Sequence, residues 1–142
     1  MTSPTAITLT GFIAWTLALL ILMEIMRAVL VTTKQVAANG FSPDNANLSP
    51  FIQRLARAHA NCLEGLPVFG GLLVVALVTE RTAITDALAY GLLAARIVQS
   101  CIHLVSISPA AVTARFIAFA VQMVIGAVWV VGLLRHAIPV AV

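Results

Sequence analysis

ITLTGFIAWTLALLILMEIMRAVLV, residues 7–31, carries no charge until Glu24 and Arg27 and decides how the rest of the chain is read. A helix that crosses the hydrocarbon core of a bilayer needs about 20 consecutive, mostly apolar residues. This stretch is long enough, and it is too long for the short apolar core of a removable signal peptide. It also lacks the basic leader and small-residue cleavage site of one, so it reads as a permanent first span. The stretch that follows, TTKQVAANGFSPDNANLS, is rich in Asn, Gly, Pro and Asp and reads as a loop. Ser49 then supplies a helix N-cap, and Pro50 stands where a missing N–H costs nothing. The second span runs over 50–78 and is kinked by Pro67, which removes one backbone hydrogen bond. A polar turn with Glu80, Arg81 and Asp86 precedes a third span over 83–105. Ser108-Pro109 repeats the cap signal before a fourth over 109–135.

The whole chain agrees with that start. Of its 142 residues 61% are hydrophobic and 9% charged, against roughly a quarter charged in ordinary soluble domains. No strand alternation is present, and lipid admits only helices or closed barrels. The expectation is an all-α, integral membrane four-helix bundle forming a single transmembrane domain over 1–142. The net charge of +3 is not gathered into a basic tail, so nucleic acid is not an expected partner. Cys62 and Cys101 fall inside spans without metal-type spacing and read as plain core residues, so no metal site is expected. Trp15 and Trp129 read as lipid-facing or packing residues, the Gly70-Gly71 pair as a close-packing position, and His59 as a helix-facing or interfacial histidine.

Lys34, Arg54, Arg57 and Arg115 gather at one side of the spans, and Arg81 and Arg135 at the other. By the excess of Lys and Arg in cytoplasmic loops, loops one and three are expected in the cytoplasm and both termini outside.

Ionisable side chains inside spans cost about 2.5 to 3.5 kcal/mol each on insertion scales and mark either function or an internal pair. Arg57, Asn61 and Glu64 follow one another at i, i+4 and i+7 and share a helix face. Arg96, Gln99 and His103 do the same at i, i+3 and i+7, and the fourth span adds Arg115 and Gln122. At about 1.5 Å per residue, Arg57, Arg96 and Arg115 reach neighbouring depths, so their guanidinium groups can converge on one cavity open to the cytoplasm. Glu64 can pair with Arg96, and Glu24 with Arg27 or Arg57, which would hold the bundle together. Two acids against four arginines still leave positive charge over, and stranded cations are costly. An anionic ligand would balance them, and the planar fork of Arg suits a carboxylate.

The segment RLARAHANCLEGLPVFGGLLVVA, residues 54–76, resembles the signature of the membrane-associated proteins in eicosanoid and glutathione metabolism, the MAPEG family. Arg57, His59, Asn61, Glu64, Leu66, Pro67 and Phe69 fall at the signature's places, and AARIVQSCIHLVSISPAAVTARF resembles the family's third helix and entry to the fourth. Ala60, Gln99 and His103 depart from some eukaryotic members, and the pattern is closer to bacterial ones, which implies a bacterial inner membrane. The resemblance implies a homotrimer with glutathione as co-substrate, held between subunits by Arg57, Asn61, Glu64, Arg96, Gln99 and His103. It further implies that Arg115 stabilises the glutathione thiolate, which attacks a lipophilic electrophile arriving from the membrane lipids. The expected function is therefore a glutathione transferase or peroxidase. Two other readings stay open: a lipid-binding scaffold of the same fold without turnover, and a small multidrug transporter with Glu24 or Glu64 as its proton site. The excess of in-membrane arginine repels cationic drugs and counts against the transporter.

Overall fold

The computed structural model describes residues 3–43 and 45–137. The outermost ends of the expected domain and Asp44 lie outside the described residues. Helix α1 spans Pro4–Thr32, α2 Pro50–Gly65, α3 Gly71–Val78, α4 Asp86–Val105 and α5 Pro109–Ala137. A π-helical turn, Leu66–Gly70, joins α2 to α3, and a 3-10 turn, Thr82–Ile84, precedes α4. With α2 and α3 taken as one continuous rod, four helices among the described residues are long and apolar enough to cross a membrane.

Ser-Pro opens three of these rods, each for the same reason. Ser3 Oγ accepts from Ala6 N at 3.2 Å, Ser49 Oγ from Ile52 N at 3.4 Å and Ser108 Oγ from Ala111 N at 3.2 Å. Each cap satisfies an orphan first-turn N–H, and each proline fills a position where none is needed. The first span starts at Pro4 rather than at Ile7, because the Ser3-Pro4 cap begins the helix ahead of the apolar run. The third span starts at Asp86 rather than at residue 83, because Thr82–Ile84 form a 3-10 turn and Thr85 is drawn with Asp86 into a polar knot. Thr5 Oγ1 lies 2.6 Å from Thr85 Oγ1 and donates to Asp86 Oδ1 at 2.6 Å, while Thr5 N donates to the same oxygen at 2.9 Å.

This knot pins the start of α1 to the start of α4. Thr5 is fully buried, so a lost hydroxyl there cannot be replaced by water. Thr5→Val, which keeps the shape, is expected to lower unfolding stability in detergent by about 1–2 kcal/mol. A thermal melt unchanged from wild type would show that the knot contributes nothing.

Pro67 does more than kink its rod. Its missing N–H and its ring break the i to i−4 ladder, and the chain answers with the wider π turn. Gly70 in that turn sits where a Cβ would lie 3.4 Å from Leu9 of α1, whereas Gly71 faces open space, so only the first of the pair serves close packing.

Helix α4 is the centre of the bundle. It packs on α1, α2 and α5, whereas α2 and α5 make almost no direct contact. Phe12, Leu55, Leu73, Leu92 and Trp129 fill the core, and Cys62 is buried among them while Cys101 faces outward. Ile13, Leu17, Ile21, Val124 and Val128 lie on the outer surface, more than 40% exposed, as a face toward lipid requires.

Candidate functional site

Because α2 and α5 stand apart in front of α4, the bundle is open along one side, and two adjoining cavities occupy the gap. The α2 face carrying Arg57 and Asn61, the α4 face carrying Gln99 and His103, and the first turns of α5 with Arg115 and Phe116 surround a cavity of about 400 Å³. It lies at the end of the bundle that bears the first and third loops. Below it is a second cavity of about 470 Å³, lined by Val68, Phe69 and Leu72 of the π turn and α3, by Phe119, Met123 and Val130 of α5, and by Glu64 and Arg96. Asn61, Gln99 and Phe119 line both, so the two spaces share a wall.

Local hydrogen bonds hold the polar lining. Asn61 Nδ2 lies 3.3 Å from His103 Nδ1 across α2 and α4, which makes that ring nitrogen the acceptor when the amide nitrogen donates. Arg54 Nε donates to Leu104 O at 2.9 Å and ties the start of α2 to the last turn of α4. Gln122 of α5 donates through Nε2 to Gln99 Oε1 at 3.0 Å and to Ala118 O at 2.9 Å. Arg115 has a buried Nε without a partner, and no carboxylate forms an ion pair with it among the described residues.

Arg96 departs from its expected place. It is 1% exposed, donates through Nη1 to Asn61 O at 3.0 Å, and lies between the rings of Phe12 and Phe69 at 5.2 and 5.8 Å. Its Nε and Nη2 have no partner among the described residues. Gly65 makes the room, since a Cβ there would collide with Arg96 Nη2. The three guanidinium groups therefore do not line one cavity: Arg57 and Arg115 line the upper space, and Arg96 lines the lower one.

The expected Glu64–Arg96 pair is also absent among the described residues, where the ion pair within 4 Å is Glu24–Arg27 at 2.9 Å. Arg96 has turned instead to a carbonyl and two aromatic faces, while Glu64 stays exposed on the open side of α2. Arg27 also donates to Asn45 Oδ1 at 2.7 Å and lies over Phe41 at 5.5 Å, which fastens the first loop to α1. His59 lines neither cavity.

The sequence reading missed the apolar half of the site. Val112, Phe116, Phe119, Met123, Gly126 and Val130 recur at three- and four-residue steps along α5 and face the gap. That period was visible, but in a helix apolar all round nothing separates a cavity stripe from a lipid-facing one. Gly126 belongs to this stripe because a Cβ there would lie 3.1 Å from Phe69 Cε1.

Compared with known proteins, the chain matches the sequence model of the MAPEG family over residues 6–135. No curated protein and no solved structure matches it.

Proposed function

The chain belongs to the MAPEG family, and from that premise and the paired cavities we propose that it is a membrane-bound glutathione-dependent transferase or peroxidase acting on lipophilic electrophiles. As a member with four helices able to span a bilayer, it is an integral membrane protein. The observation that carries the reading is the shared wall between a cavity lined by cations and one lined by apolar side chains. Glutathione carries two carboxylates, an ammonium group and a thiol, so it suits the upper cavity. The unpartnered Nε of Arg115, with Arg57, offers donors to an anion. Asn61, Gln99 and His103 supply the neutral hydrogen-bonding groups around it.

A thiolate, rather than a thiol, is the nucleophile. Arg115 stabilises that anion, whose sulfur forms the new bond to an electrophilic carbon while the leaving group departs with its electron pair. The electrophile waits in the lower cavity, where Phe69, Phe119 and Met123 exclude water and receive apolar molecules from the bilayer. Glu64 and Arg96 line that lower cavity beside Asn61, and Arg96 supports the glutathione site through the hydrogen bond it gives to Asn61 O. The protein works as a homotrimer in a bacterial inner membrane. The exposed carboxylate of Glu64 inside a span is a costly group to leave toward lipid, and a neighbouring copy or the ligand covers it.

Purified protein in detergent is expected to bind glutathione in calorimetry and to conjugate it to a hydrophobic halogenated arene. Absence of both binding and conjugation would overturn the proposal. Orientation gives a separate test: a cysteine placed at the exposed loop residue Asn39 is expected to resist an impermeant thiol reagent in intact cells. Ready labelling would put the cationic cavity on the outer side, away from the cytoplasmic thiol supply.

A further inference from the structure

Gln122 is a fully buried amide on a spanning helix, roughly 20 Å along α5 from its start, and it belongs to neither cavity lining. We propose that it is a positioning residue: it fixes Gln99 as a hydrogen-bond donor at the wall shared by the two cavities, so that the lower cavity selects molecules with a carbonyl-type acceptor on an apolar body.

The direction of the amide pair follows from its partners. Gln122 Nε2 faces two oxygens, Ala118 O at 2.9 Å and Gln99 Oε1 at 3.0 Å. Turned over, its own oxygen would face a carbonyl that can only accept, so the orientation is set by chemistry rather than by choice of atom labels. Its Oε1 is left buried without a partner among the described residues, a cost that a plain apolar side chain would avoid. What the arrangement achieves is at Gln99. With its oxygen accepting from Gln122, the NH2 group is the half of the Gln99 amide left without a hydrogen bond among the described residues. That nitrogen is not sealed in the interior. Gln99 lines both spaces, so a fixed donor stands where the apolar cavity meets the cationic one.

This inference rests on the lower cavity being the place of the lipophilic substrate, but it does not depend on the thiol chemistry above. The ligand class is a long apolar chain ending in a ketone, enone or similar oxygen acceptor, held with its oxygen on Gln99 and its chain among Phe69, Phe119 and Met123.

The probe is a long-chain methyl ketone labelled with carbon-13 at the carbonyl, compared with the alkane of equal length. On the purified full-length protein, the bound ketone is expected to show an infrared carbonyl band below its position in hydrocarbon solvent, and to bind more tightly than the alkane. In Gln122→Met the band is expected to return toward the hydrocarbon position. Ketone affinity should fall roughly fivefold, the worth of about one neutral hydrogen bond, with alkane affinity unchanged. Gln99→Met should give the same band loss, and it decides the matter if Gln122→Met does not fold. An unshifted band in wild type, an unchanged band in the variants, or equal losses for ketone and alkane would each overturn the proposal. Glutathione binding to the wild-type protein, measured without ketone, reports on the thiol reading separately.

Discussion

Arg115→Ala is expected to lower the turnover of glutathione conjugation by roughly 100-fold, the scale on which removal of one aimed electrostatic group acts. Glutathione affinity should fall much less, because Arg57, Asn61 and Gln99 remain around the same cavity. The reason lies in what surrounds the guanidinium. It enters about 9 Å along α5, close to the capped Ser108 start, where the positive end of the helix also favours an anion. It has no carboxylate partner among the described residues, and its Nε is buried and unused. An unperturbed thiol titrates near pH 8.5, so only a few per cent is ionised at neutral pH. On the proposed reading, Arg115 is expected to shift that balance toward thiolate. The ultraviolet absorbance of bound thiolate should drop in Arg115→Ala and be partly retained in Arg115→Lys, which keeps the charge and loses the fork. Equal losses of binding and turnover would reduce Arg115 to a carboxylate anchor. Full activity in the alanine variant would remove it from the mechanism.

Arg96→Met is expected to leave the fold intact, with unfolding stability in detergent unchanged or raised by about 1–4 kcal/mol, while glutathione binds at least tenfold more weakly. A guanidinium with a hydrogen bond to Asn61 O and no acid partner among the described residues is poorly compensated for the loss of water. Its position between Phe12 and Phe69 returns part of that cost, about 2 kcal/mol for a desolvated cation over a ring. Met fills similar space without a charge. A stabilising role and a binding role thus give opposite signs, and melts with and without glutathione separate them. Wild type should gain more from the ligand than the variant does. If Arg96→Met loses several kcal/mol in the absence of ligand, Arg96 is structural glue, and the binding role assigned to it fails.

Much of the fold was legible in residues 7–31 and in the Ser-Pro pairs. An uninterrupted apolar run has one stable form in lipid, because every backbone N–H and C=O must find a partner within the segment. The cap chemistry at Ser49 and Ser108 acts over one turn, so it is readable locally. The same locality placed Arg57 with Asn61, and Gln99 with His103, on common helix faces, since a 3.6-residue period requires no knowledge of the neighbouring helix.

What the sequence by itself determined, then, was the helices, their approximate ends and the polar face each one presents. The tertiary structure decided which faces meet. Opposite charge suggested that Glu64 would find Arg96, yet pairing across helices depends on how the rods are set, and Gly65 with two phenylalanines drew the guanidinium to a different place. The apolar cavity was equally out of reach of the sequence, because it is made by the separation of α2 from α5 in front of α4. A span apolar on all sides carries no mark of which side faces lipid and which faces a void. Gln122 gives the same lesson in one residue: its sequence position identifies a polar group within a span, and only its contacts with Gln99 and Ala118 give that group a direction.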